Sequence, residues 1–167
     1  LLEPQRTNLH SHSELMTSTW NYAGASAILN TTISPDGYQN AATINASGIN
    51  DHIFVNLGAG ANGITYTFSV YYKGVEGETI HMGFLQGGGS IGVSRFITFT
   101  GDWQRESITF TGGSNYNIYY LIDRRTNLGT ATSFQSYGAQ VEVGSYPTSY
   151  IPTYGSSVSR VKDVIVC

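Results

Sequence analysis

Apolar and polar side chains alternate along most of the 167-residue chain, and that alternation predicts strands. From 64 to 72, Ile64, Tyr66, Phe68, Val70 and Tyr72 share one parity, while Thr65, Thr67, Ser69 and Tyr71 share the other. A half-buried strand produces this period of two. Residues 79–86 repeat it, with Ile80, Met82 and Phe84 inward and His81 outward. Residues 106–111, 116–122 and 136–143 follow, the last with Val141 and Val143 on one face. Weaker patterns predict strands at 26–33, 40–44, 53–57 and 92–100. No stretch keeps apolar residues at spacings of three, four and seven behind a capping residue, so no long helix is expected.

Turn formers separate these runs: Ser34-Pro35-Asp36-Gly37, residues 58–63 and 74–77, Gly87-Gly88-Gly89, Gly101-Asp102 and Gly112-Gly113. Short strands punctuated in this way predict an all-β fold, a two-sheet antiparallel β-sandwich of jelly-roll type. Residues 1–144 form the expected sandwich. Past Gly144, Pro147, Pro152 and many Ser, Thr and Tyr residues predict an extended tail over 145–167, leading towards a following domain.

Composition agrees. Charged residues make up 11% of the chain, against about 25% in an average soluble protein. Twenty glycines and twelve tyrosines favour turns and pleated surfaces over helices. A surface of small hydroxyl and amide groups suits an extracellular or virion protein. The net charge of −3 argues against nucleic acid, which needs clustered Lys and Arg. No apolar run approaches the ~18–20 residues of a membrane-spanning helix, so no membrane insertion is expected. Cys167 stands alone at the end, which leaves a bridge to another chain open and an internal disulfide impossible. The opening residues have neither the basic nor the apolar region of a signal peptide, and no initiator Met, so excision from a longer polypeptide is expected.

His-Glu-x-x-His and the P-loop do not occur. Gly88-Gly89-Ser90-Ile91-Gly92 has Gly-x-Ser-x-Gly spacing, but it leads from a glycine turn into a strand, not into the helix that a nucleophile elbow needs. Gly58-Ala59-Gly60-Ala61-Asn62-Gly63 has dinucleotide spacing, but a strand follows where the phosphate would need a helix N-terminus. His10-Ser11-His12 lacks the further ligands of a zinc site. Arg124-Arg125 reads as a solvated loop. Of eleven carboxylates, Asp36, Asp51, Glu76, Glu78 and Asp102 fall in turns, which suits solvation better than a glycosidase pair. No enzyme is expected.

The aromatics carry the functional expectation. Tyr66, Phe68, Phe84 and Phe110 are inward core, and Trp103 is a packed plug. Tyr71 and Tyr119 are placed outward, where a ring can lie against a sugar and its hydroxyl can bond. His81, Arg105 and Gln140 share that parity and supply directional hydrogen bonds. Trp20 and Tyr22 are alternative loop platforms, with burial in the sandwich end as the competing reading. The same tyrosine face also suits a contact with another subunit in a homo-oligomer.

Three segments resemble a module of bacteriophage tail-fibre and minor structural proteins. They are Leu1-Leu2-Glu3-Pro4-Gln5-Arg6-Thr7-Asn8-Leu9 with Ser13-Glu14 and Trp20, then Ser34-Pro35-Asp36-Gly37 with Thr65-Tyr66-Thr67-Phe68-Ser69-Val70-Tyr71, and a closing motif. The closing motif runs Gly138-Ala139-Gln140-Val141-Glu142-Val143-Gly144-Ser145-Tyr146-Pro147-Thr148-Ser149-Tyr150-Ile151-Pro152-Thr153, with Ser159-Arg160-Val161-Lys162-Asp163-Val164 after it. Gly101-Asp102-Trp103-Gln104-Arg105 with Ile108-Thr109-Phe110 is also similar to jelly-roll carbohydrate-binding modules of polysaccharide hydrolases. One position departs: Glu106 stands where the pattern has an apolar strand residue.

The resemblance implies a sandwich in a tail or adhesion structure, often followed by a lectin-like domain. It also implies a structural calcium as an option, for which Glu3, Asn8, Glu14 and Glu142 offer oxygens. The leading expectation is a non-catalytic carbohydrate-binding module of a phage tail or virion surface protein, with a polysaccharide or cell-surface glycan as partner. The alternative is a virion assembly or spacer domain whose tyrosine face packs on a neighbouring subunit or another virion protein.

Overall fold

A computed structural model describes residues 2–14, 19–58, 62–86, 90–113, 117–123 and 129–164. Among them every helix or strand is a strand: β1 (Arg6–Asn8), β2 (Asn21–Ala23), β3 (Ser26–Thr32), β4 (Ala41–Asn45), β5 (His52–Gly58), β6 (Thr65–Lys73), β7 (Thr79–Gln86), β8 (Ser90–Thr98), β9 (Gln104–Thr111), β10 (Asn117–Asp123), β11 (Ser133–Val143) and β12 (Val158–Arg160). The first sheet runs β2-β5-β10-β7-β8, the second β3-β4-β11-β6-β9, and β1 pairs with β12. From β4 to β11 the chain passes repeatedly between the two sheets, which makes the sandwich a jelly roll. Arg124, Arg125, Tyr116, Cys167, the triple glycine at 87–89 and part of the Gly58–Gly63 loop lie outside the described residues.

The core lies between the sheets and follows the alternation of the sequence. Tyr66, Phe68, Val70 and Tyr72 of β6 point inward with Ile108 and Phe110 of β9, towards Ile80, Met82 and Phe84 of β7. Phe84 and Phe110 stack across the layers with ring centres 3.7 Å apart. Val141 joins this core, whereas Val143, of the same parity, is exposed at the sheet end. Trp103 is half-buried, its indole N–H donating to the Ile33 carbonyl at 3.0 Å.

Glu106 fits the same register. It lies opposite Val70, and Arg95 lies opposite Met82, so both face inward from the two edge strands β9 and β8. Arg95 Nη2 meets Glu106 Oε2 at 2.6 Å, and Gln104 Nε2 donates to Glu106 Oε1 at 3.0 Å. An ion pair therefore closes this seam of the sandwich where an apolar contact would be open to water. The pair is half-exposed, so Arg95→Ala should cost no more than about 1 kcal/mol in urea denaturation.

Residues 145–160 do not leave the domain as a free tail, and Gly144 does not mark the end of the packed body. The segment folds back over the outer face of the second sheet and ends in β12, antiparallel to β1 with Arg6 opposite Arg160. A bulge in β11 between Tyr137 and Gln140 prepares the docking. Gly138 sits there at φ +66, in the left-handed region, and a Cβ would press on the Tyr71 and Tyr150 rings. The bulge frees backbone groups for Asn8, whose Nδ2 donates to the Ala139 carbonyl (3.2 Å) and the Ile151 carbonyl (2.8 Å). Asn8 Oδ1 accepts from the Val141 and His10 N–H groups. One buried side chain thus ties β1, β11 and the returning strap together.

Candidate functional site

Three residues expected to face outward do leave their sheet on the outer side but meet the strap there, Gln140 fully buried and Arg105 and Tyr71 half-buried. Gln140 is fully buried beneath the strap, accepting from the Ile151 N–H at 2.7 Å and donating to Glu142 Oε1 at 2.8 Å. Arg105 donates to the Thr148 carbonyl (2.7 Å) and to Ser69 Oγ (2.9 Å). Its guanidinium lies 5.4 Å from the centre of the half-buried Tyr71 ring. Tyr137 and Tyr150 pack around that ring. Parity was right for Gln140, Arg105 and Tyr71, but the returning segment packs against all three.

Tyr119 is a correction of parity itself. It registers with Val55 and Phe84, points into the core at 0% exposure, and packs on Phe68 with ring centres 4.8 Å apart. Trp20 is buried in the same core, and Tyr22, opposite Ile53, packs against it. Neither is an exposed platform. Burial pushes the Tyr22 hydroxyl up to about 12.

His10 completes this cluster, its Nδ1 2.6 Å from the Tyr119 hydroxyl and its ring 5.0 Å from Trp20. Burial pushes its pKa down from 6.5 to about 4; a backbone contact with His12 raises it a little, and the His12 charge lowers it. Between those pH values the unfolded chain takes a proton that the folded chain refuses. The His10 contribution to stability is therefore complete above pH 6.5 and is lost as pH falls towards 4. From pH 7 to 4.5 the loss should be about 2–3 kcal/mol. Urea denaturation at the two pH values should show it, with His10→Gln flattening the difference.

The outer face of the first sheet is built differently. His52 and Phe54 of β5 stack nearly parallel at 5.4 Å. On β7 and β8, His81 lies opposite Phe96, with ring centres 5.2 Å apart. His81 is buried under this contact, while Phe96 is 51% exposed. His81 is therefore on the expected face, but it supports an aromatic surface rather than presenting one. Asn21 stands opposite Phe54 and is exposed. Phe54 and Phe96 were legible: each has the opposite parity to its buried neighbours Ile53 and Ile97.

The oxygens suggested for calcium are engaged elsewhere. Glu3 pairs with Arg160 and accepts from Ser149, and Glu142 pairs with Arg6 and accepts from Thr148. Asn8 holds the strap, and Glu14 accepts from Tyr154. Among the described residues no three His, Cys, Asp or Glu side chains are grouped to hold a metal, so these four do not fit a calcium site.

Glu14 and Asp36 do approach one another through Tyr137, whose hydroxyl is 3.2 Å from Glu14 Oε1 and 2.7 Å from Asp36 Oδ2. Partial burial raises the Asp36 carboxyl, but hydrogen bonds from Ser34, Asn40, the Tyr38 N–H and Tyr137 more than offset it and hold the pKa at about 2. A general acid needs the opposite shift.

No protein-family model matches the chain, and no curated protein sequence matches it. Solved structures do. A family 4 carbohydrate-binding module aligns with a TM-score of 0.51 at 20% identity, over 75% of this chain and 86% of its own. The family 22 and catalytic modules of the Clostridium thermocellum xylanase Xyn10B, complexed with xylohexaose, align at 0.55 and 14% identity, over 87% of this chain and 29% of that one. The enzymatically active domain of tailspike protein 4 from bacteriophage CBA120 aligns at 0.53 and 8% identity, over 80% of this chain and 21% of that one. This chain spans less than a third of the last two. It has the jelly-roll fold of carbohydrate-binding modules.

Proposed function

We propose that the chain is a non-catalytic carbohydrate-binding module that holds a glycan across the outer face of its first sheet. One observation carries this reading: Phe96, half-exposed, and Phe54 stand on the outer face of the first sheet while the strap docks on the second, and each ring lies against a histidine. Ring faces attract the apolar C–H faces of sugars, and the nearby Asn21 and His52 can bond hydroxyls. A single shallow face of this kind binds weakly, and copies arrayed on a fibre would gain on the order of 10²–10⁴ through avidity. The opening and closing motifs resemble phage tail modules, and they support a place on a virion surface, with a cell-surface glycan as partner.

The test is affinity electrophoresis against xylan, mannan, galactan and mixed bacterial surface polysaccharides. Retardation by at least one of them, without release of reducing sugar, is the expected result. No retardation by any, or steady release of sugar, would overturn the reading.

A spacer role retains one supporting observation. The edge strand β3 exposes Ile28, and Ile33 beyond it is exposed too, a surface that suits a neighbouring subunit. The tyrosine face does not serve that role, because the chain's own strap occupies it. A stable oligomer by light scattering is expected on this second reading, and a monomer counts against it.

A further inference from the structure

A cavity of about 280 Å³ opens at one end of the sandwich, between residues 9–11 and the end of β5. Its walls are apolar at Leu9, Val55 and Leu57 and polar at Ser11, Thr19 and Asn56, with His10 and Tyr119 on its inner side. Among the described residues, none that lines it carries a fixed charge.

Buried polar atoms normally find partners, yet three here have none: His10 Nε2, Thr19 Oγ1 and Trp20 Nε1. His10 and Thr19 line the cavity themselves, and the Trp20 ring lies against His10. His10 Nδ1 is held by Tyr119, so the ring is fixed while Nε2 is left over, whichever nitrogen holds the proton. The cavity has room for about nine waters at ~30 Å³ each, far more than one structural water needs. It falls just short of a drug-sized pocket, which begins at about 300 Å³.

We propose that this cavity is a second ligand site, taking the single neutral sugar ring at the end of a glycan. Apolar walls would meet the ring face, and Ser11 and Asn56 would bond its hydroxyls. A small outward shift of the wall would let a hydroxyl reach His10 Nε2 and Thr19 Oγ1, which are closed to water as the cavity stands. Charged sugars are disfavoured, since no side chain there would balance the buried charge. The inference rests on the carbohydrate-binding reading and adds an end-on site to the sheet face, which takes a run of units. A larger hollow of about 460 Å³ lies over Gln5, Arg6 and Thr7, but the Arg6 charge there is already matched by Glu142.

The experiment is an NMR titration of the whole chain with xylose, glucose, galactose, mannose and N-acetylglucosamine. At least one sugar should shift the Trp20 indole N–H and the methyls of Leu9, Val55 and Leu57 along a saturable curve. Thr19→Val, which keeps the shape and removes the hydroxyl, should weaken that binding about tenfold. Val55→Phe, which fills the cavity, should abolish it, and it serves should Thr19→Val fold poorly. Phe96→Ala should leave the titration unchanged. The inference fails if no sugar moves these signals, if the shifts cluster at Phe54 and Phe96 instead, or if Val55→Phe titrates like the wild type. Failure of the sheet-face reading has a different signature, namely polysaccharide retardation that survives Phe96→Ala.

Discussion

Glu142→Ala should destabilise the fold by about 3–5 kcal/mol, the scale for breaking a buried charge pair. The side chain is fully buried. Its Oε1 accepts from the Thr148 N–H at 2.7 Å and its Oε2 from the Thr148 hydroxyl at 2.7 Å. Arg6 Nε lies 3.4 Å away. Gln140 Nε2 also donates to Oε1 at 2.8 Å, so truncation strands three donors and a cation in a space too enclosed for water to replace the carboxylate. Gly144 shares this geometry: at φ +145, a Cβ would collide with the Arg6 guanidinium. For a chain of this size the melting temperature should fall by roughly 10 °C or more, and limited proteolysis should open residues 145–157 first. Glu142→Gln keeps one acceptor and should lose less. A loss below about 1 kcal/mol would show that the strap is held by something else.

The second large effect concerns binding. Phe54→Ala and Phe96→Ala should each weaken affinity for the bound polysaccharide by about 1–2 kcal/mol, five- to thirtyfold, as truncating an aromatic anchor does. Phe96 should cost stability little, because half of it is already exposed. Tyr71→Ala should change affinity less than twofold, for its ring lies among Arg105, Tyr137 and Tyr150. Calorimetry or quantitative affinity electrophoresis reads all three variants. An equal loss in Tyr71→Ala would return the site to the other sheet.

The sandwich was readable because β6, β7 and the second half of β9 set an apolar row against a more polar one. β10 was not. Ile118-Tyr119-Tyr120-Leu121-Ile122 is apolar at both parities, so period alone leaves the face of Tyr119 undetermined. Its register with Phe84 decides it.

Arg105 and Gln140 illustrate a different limit. Alternation says which side of a sheet a residue takes, not what lies on that side. Here the cover comes from residues 145–153, far from β6 and β9 in sequence, which an extended, proline-containing composition makes look like a tail. The closing motif was conspicuous for a structural reason: Gly138, Gln140, Glu142 and Gly144 form the seat of the strap. Phe54 and Phe96 obey the same parity rule as the core. β8 alternates weakly because its inward Arg95 is polar, and β5 because its outward row carries the apolar Phe54.

A crystal structure with the tightest-binding oligosaccharide tests most directly whether the outer face of the first sheet is the working one. The sugar should lie across β5, β10, β7 and β8 with its rings against Phe54 and Phe96, while residues 145–157 stay docked on the second sheet. A sugar resting against Tyr71, or a strap displaced to admit it, would contradict the account.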